Sequence, residues 1–332
     1  MNPRLLRWFT CTLAMAIVFA AAMIAPPRHS MAGSLSNSII GLFPKEVGEF
    51  AYADLKTARG YAWFGQLRDQ MLPGRFKDFE QFLRSAGIDP NSQVDELAWA
   101  GMPQSKSGGE EIVGIALGQF DPSSAEAKFK QQKLPSIEVH GFHLYAFGSG
   151  AGAGDILFLF IDSNTAAFGH RAALEKLIDV RAGAADNLLT NSKMYPLING
   201  SNGHGIIWAV LDQDYTHLAV KQLLPQLSTI PQAASIVNRM HAMTIDVEAD
   251  SGVDAKFQAV CDSSDDANML SAAMQAGIMM YRYQAAQSNP ALASLLEEIK
   301  VSPDGDRLKI EAPISQDELL GLIRSKAFSA PM

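Results

Sequence analysis

The sequence predicts an α+β fold: two pseudo-repeated halves of mainly antiparallel sheet with helices packed on a face. Three observations carry that expectation. Strand-like and helix-like patterns follow one order in each half: strand, helix, strand, strand, helix, strand, strand, helix. Neighbouring strand patterns are joined by short turn sequences, which suit hairpins. Apolar and polar residues alternate along several strands, as they do in a sheet with one buried and one wet face.

In the first half, residues 49–54 read as an extended stretch. Helical patterns follow from about 57 to 86 and are closed by Gly87 and Pro90. Residues 94–100 and 111–119 read as strands. A helix is expected at Ser123, with Ser123 and Glu126 forming a capping box over the free amides of its first turn. Strands at 142–147 and 156–161 and a helix at 170–180 complete the half. The glycine-rich run 148–154 precedes a strand and lacks a lysine, so it reads as a connection and not as a phosphate loop. Residues 199–205, rich in Gly and Asn, read as a linker. The expected halves are therefore 33–198 and 206–332.

The second half opens with a strand at 206–211 and helical patterns from about 214 to 240. Strands at 243–249 and 255–261 precede a helix capped by Ser263. A hairpin of 300–302 and 307–312 turns across Pro303, Asp304, Gly305 and Asp306, and 315–325 is the closing helix. Ile245, Val247 and Ala249 alternate with Asp246, Glu248 and Asp250. Leu308, Ile310 and Ala312 alternate with Arg307, Lys309 and Glu311. Residues 156–161 and 206–211 do not alternate, so both are expected to be covered on both faces.

The N-terminus reads as a secretory signal. Arg4 and Arg7 precede an uncharged apolar run over 8–25, Pro26 and Pro27 break it, and Ser30-Met31-Ala32 places small residues at −3 and −1. Cleavage after Ala32 is expected, giving a periplasmic or secreted protein. The alternative is an N-terminal membrane anchor, because a run of that length can just span a bilayer. Removing 1–32 takes away three arginines and no acid, so the net charge of −8 becomes −11. An acidic chain without basic runs argues against nucleic acid as a partner. No segment of the mature chain is long and apolar enough to read as a membrane span. Cys261 is the one cysteine left after cleavage, so no internal disulfide forms, and it reads as a buried apolar thiol.

Nucleophile-elbow, Ser-x-x-Lys and His-Glu-x-x-His motifs are absent from the sequence. His140 and His143 have no further nitrogen or sulfur ligands nearby in sequence, so neither a metal nor a cofactor is expected. His204, beside Gly205 and near Trp208 at the junction of the halves, is the most site-like histidine. The helical pattern from about 265 to 287 is the most distinctive element. Met269, Leu270, Ala273, Met274, Gly277, Ile278 and Tyr281 recur at helical spacing, with Met279 and Met280 beside them. Methionine-rich faces adapt to varied apolar partners, whereas the same spacing also suits an ordinary core-facing stripe. The candidate ligand-binding residues are Met269, Met274, Ile278, Tyr281, His204 and Trp208.

Three phrases resemble a loose class of uncharacterised exported bacterial proteins, classed as domains of unknown function. They are Leu42-Phe43-Pro44 before the first strand, Gly87-Ile88-Asp89-Pro90 ahead of Val94-Asp95-Glu96-Leu97, and a strand-turn-Gly-helix phrase over 160–177. The similarity covers most of 40–215; it implies export and brings no activity with it. These readings together point to an exported, non-catalytic envelope protein that binds a protein partner or an apolar ligand. The second reading is an extracytoplasmic hydrolase with its site at the junction of the halves.

Overall fold

The computed structural model describes residues 33–324 except 73, 104–109, 150, 151, 153, 154, 224–236, 250, 251 and 289. The signal reading of 1–32 and the later part of the helix expected at 214–240 lie outside the described residues. The fold is α+β. The described residues hold twelve strands, and the registered pairings are antiparallel. They group into two compact units. One contains Leu35–Gly60 and Leu72–Pro196; the other contains 33–34, Tyr61–Met71 and Leu197–Ser329 as far as these are described.

The unit of Leu35–Gly60 and Leu72–Pro196 holds β1 (Glu49–Asp54), β2 (Val94–Pro103), β3 (Glu110–Gly118), β4 (Ser136–Val139), β5 (Phe142–Phe147), β6 (Ile156–Phe160) and β7 (Thr165–Gly169). Their order is β1-β2-β3-β7-β6-β5-β4. This half departs from the expected order, because four strands and not two follow the Pro122–Gln131 helix. β4 and β7 escape a reading of periodicity: β4 is a short, mostly exposed strand, and β7 is built largely of small residues with weak strand preference. β4 and β5 are joined by His140 and Gly141, with φ of 47° and 83°. That pair of left-handed residues gives the tight turn whose twist matches the strands it joins.

The Pro122–Gln131 helix also starts earlier than expected. Its cap is Asp121 and not Ser123: the Asp121 carboxylate accepts from the Ser124 amide at 3.0 Å and from the Ser123 hydroxyl at 2.7 Å. Proline at the first helical position has the required φ and lacks an amide that would need a cap, so the start moves to Pro122. The helical stretch expected over 57–86 is three helices, Leu55–Ala58, Phe64–Met71 and Gly74–Ser85. Phe79 and Phe82 of the third, with Phe129 of Pro122–Gln131, pack on Tyr145, Phe147 and Phe158. Phe129 lies 4.8 Å from Tyr145 and 5.4 Å from Phe158, the latter edge to face at 77°. Such tilted and edge contacts bring ring edges to ring faces, the arrangement the aromatic quadrupole favours.

The other unit holds β8 (Ile207–Leu211), β9 (Met240–Ala249), β10 (Val253–Cys261), β11 (Lys300–Asp304) and β12 (Arg307–Ile314), in the order β8-β9-β10-β12-β11. Along the chain, the Gln213–Leu223 helix lies between β8 and β9, helices follow β10, and the β11–β12 hairpin returns its second strand to β10. The 25-residue Ser264–Ser288 helix follows β10. As expected, Ser263 caps it, accepting from the Asp266 amide at 3.2 Å and donating to the Asp266 carboxylate at 2.6 Å. Its inward residues Ala267 and Leu270 pack with Ala259, Cys261, Val301 and Leu308. The Phe64–Met71 helix belongs to this unit as well. Tyr61 donates its hydroxyl to the Ala249 carbonyl at 2.6 Å, and the Gln70 amide donates to the Ile323 carbonyl at 2.5 Å.

Two outcomes follow from this packing. Phe129 is fully buried among the rings of Phe79, Phe82, Tyr145, Phe147 and Phe158. Phe129→Ala should therefore cost about 3–5 kcal/mol, read as a lower urea midpoint at an unchanged slope. Cys261 is only 3% exposed, and burial, followed by the nearby carboxylates of Asp266, Asp306 and Asp262, pushes its thiol up to about 11. The folded mature chain should therefore leave Cys261 unreacted with a disulfide-exchange reagent at mildly alkaline pH, and the denatured chain should react at once.

Candidate functional site

Side chains alternate across the β8–β12 sheet, and the registers sort them onto two faces. The face under the Ser264–Ser288 helix carries Ala259, Cys261 and Leu308. The other face carries a row of direct cross-strand neighbours: Trp208 opposite Asp246, Asp246 opposite Lys256, Lys256 opposite Glu311, and Glu311 opposite Lys300. From Asp246 onward the charges alternate in sign, the favourable arrangement for adjacent strands. The Lys256 ammonium also reaches Glu248 at 2.7 Å and Asp254 at 3.8 Å. Burial works against the charged ammonium, but the hydrogen bond and charge of Glu248, with Asp254 and Glu311, outweigh it and raise its pKa.

Asp246 breaks the wet face that strict alternation predicts, because it is only 6% exposed. The reason is the chain after the Met194–Ser201 helix, which folds over it. The Ser201 hydroxyl donates to the Asp246 carboxylate, and His204 lies near enough for its charge to act on that carboxylate. Gly205 permits this approach: a Cβ there would lie 2.3 Å from the Val247 carbonyl oxygen of β9. One carboxylate oxygen of Asp246, Oδ1, has no hydrogen-bond partner. Burial pushes the acid up to about 6, even though Ser201, His204 and Lys256 favour its charged form; Glu248 adds to the rise. Trp208 is fully buried beside it and His204 is exposed.

Two of the sequence candidates, His204 and Trp208, thus meet at Asp246, a residue that sequence reasoning missed together with Ser201. The trio of Ser201, His204 and Asp246 differs from a nucleophile relay. Such a relay needs the imidazole between hydroxyl and carboxylate, whereas Ser201 bonds Asp246 directly and is buried. What the arrangement does offer is a buried acid that gains and loses its proton near pH 6. Among the described residues, no group of three or more His, Cys, Asp or Glu side chains is placed to hold a metal ion.

The other four candidates lie on the Ser264–Ser288 helix and divide between half-buried and exposed positions. Met274 and Ile278 pack inward on the core cluster. Met269 and Tyr281 face solvent, as do Met279 at 70% exposure, Met280 at 65% and Tyr283 at 74%. Among the described residues, these five are the exposed large hydrophobic side chains. From Asn268 to Gln287 the helix has one charged residue, Arg282, which pairs with Glu297 at 2.9 Å. The lack of charge on both stripes is the sequence signal that separates this helix from an ordinary amphipathic one. The six candidates therefore form two groups on opposite faces of the β8–β12 sheet.

No family model matches the chain, and no curated protein matches it. Among solved structures, one described as crystal form I of TP0453 is similar, with a TM-score of 0.47 and 12% identity, over 90% of this chain and 99% of that one. Among the described residues, no helix is long and apolar enough to cross a membrane.

The raised Asp246 pKa gives a signed prediction. An acid raised in the folded state contributes stability below its ordinary range, and that contribution is lost as pH rises through about 6. At pH 8 the folded chain carries a buried carboxylate that it would hold more stably as the neutral acid. Asp246→Asn should therefore stabilise the fold at pH 8 by on the order of 2–3 kcal/mol. The gain should shrink through pH 6 and vanish near pH 3.5 in urea titrations run across that range.

Proposed function

We propose that this chain is an exported, non-catalytic envelope protein that binds a protein partner or an apolar ligand through the outward face of the Ser264–Ser288 helix. The observation that carries the reading is the gathering of Met269, Met279, Met280 and Tyr283 on one uncharged helix surface, with Tyr281 exposed further round the same helix. Single exposed apolar side chains are ordinary, but a group of them on one surface marks a place of interaction. Flexible thioethers and amphipathic tyrosine rings suit a contact that forms and dissolves in water. Export is supported by the signal-like residues 1–32, with cleavage near Ala32. The hydrolase reading draws on Ser201, His204 and Asp246, and their connectivity favours it less.

Fluorescence of the apolar dye anilinonaphthalene sulfonate tests the binding face. The folded mature chain should enhance the dye, and the double variant Met279→Glu, Met280→Glu should lose that enhancement several-fold at an unchanged thermal midpoint. Equal dye signals in the two proteins would contradict the reading. A screen of ester, peptide and glycoside substrates should be blank; a turnover that disappears in His204→Ala would favour the hydrolase instead.

A further inference from the structure

We infer that the partner for this helix face is a second copy of the chain, docked helix on helix and antiparallel, about a two-fold axis level with Ala276. The inference rests on the binding reading above and names its occupant. One exposed line of the helix is Met269, Ala272, Ala276, Met280 and Tyr283. Counted from Ala276, these stand at −7, −4, 0, +4 and +7. On an α-helix those offsets return to one line, and the line reads the same spacing in both directions. An antiparallel second copy therefore sets Met269 level with the second copy's Tyr283, and Ala272 level with the second copy's Met280. Small then faces large, which lets the two surfaces interdigitate, and a thioether meets an aromatic ring. At the centre Ala276 meets its own counterpart, and two methyl groups there let the helix axes come close. Gly277 beside the line has open space around it, which leaves room for the same approach.

Charge supports the same occupant. The whole chain carries −8, so two copies repel over most of their surfaces. Residues 268–287 contain no acid, and their single cation is already paired with Glu297. This surface is where identical acidic copies meet without opposing like charges. Each off-axis residue pair occurs twice and the Ala276 pair on the axis once, as an isologous interface requires. One helix against its copy is smaller than the roughly 800 Å² per partner of a standard interface, so the dimer should be of roughly micromolar affinity.

Sedimentation velocity of the mature chain over about 1–100 µM should show a reversible monomer–dimer equilibrium. Ala276→Glu places bulk and two like charges at the centre of the contact and should weaken the dimer at least about tenfold. Residue 276 is exposed and glutamate is a good helix former, so circular dichroism should be unchanged. Cross-linking fixes the axis. With copper phenanthroline as oxidant, Ala276→Cys should give a disulfide-linked dimer, because a residue on a two-fold axis meets itself within disulfide reach. The two thiols of Ala272→Cys should stay unlinked, since each lies four residues from the axis and the pair is roughly 12 Å apart. Buried Cys261 does not compete. A chain that stays monomeric, a dimer indifferent to Ala276→Glu, or equal cross-linking at 272 and 276 each overturns the inference. So does a monomer that sediments with phosphatidylcholine vesicles, which would make a lipid surface the occupant. A monomer whose dye binding still falls in the Met279, Met280 double variant overturns only the second copy and leaves the binding reading standing.

Discussion

A helix laid on a sheet can bury one stripe of its surface and no more. That constraint arranges most of what is chemically distinctive here. The Ser264–Ser288 helix spends its inward stripe, Ala267, Leu270, Met274 and Ile278, on Ala259, Cys261 and Leu308. Met269, Met279, Met280 and Tyr283 on the other side then have no place in the same core. The sheet beneath obeys the same rule. Where the helix crosses it, Ala259, Cys261 and Leu308 are taken up on the covered face, and the charged Lys256, Glu311 and Lys300 stand on the far face in line with Asp246.

The row is not uniform along its length. At its outer end Lys300 is exposed, and charges there are well solvated. At its inner end Asp246 is covered by the chain around Ser201 and Gly205, and Trp208 fills the position beside it. An alternating ladder of charge thus runs from water into the interior within four strands. The acid at its buried end has a neighbour of opposite sign in Lys256, but that neighbour is shared with Glu248, Asp254 and Glu311. Desolvation wins at Asp246 because its compensation is divided.

Much of the fold could be read from local pattern. β2, β3, β5, β6 and the strands β8–β12 announce themselves by alternation or by apolar runs bounded by turn residues. The Ser263 cap follows from its own four-residue motif. β4 and β7 carry too little apolar contrast to register, and the competition between Ser123 and Asp121 is decided by where Pro122 lets the helix begin. At the candidate sites the limit is different. Helical spacing shows that Met269, Met274, Ile278 and Tyr281 share a helix, but an uncharged helix has no polar stripe to show which of them point inward. The burial of Asp246 depends on Ser201, forty-five residues earlier in the chain, and alternation within β9 holds no trace of it.

The placement of Tyr61–Met71 has a consequence for the timing of folding. Its hydrogen-bond partners Ala249 and Ile323 lie 188 and 253 residues further along the chain. At about 5–20 residues per second, synthesis reaches Ile323 only roughly 10–50 s after Gln70. Through that interval Phe64 and Leu67, both buried in the finished fold, lack their final neighbours. Contacts of such separation also raise contact order and slow closure after release. Until the Gln316–Arg324 helix is made and packs against it, the Tyr61–Met71 segment keeps apolar surface exposed that the finished fold buries.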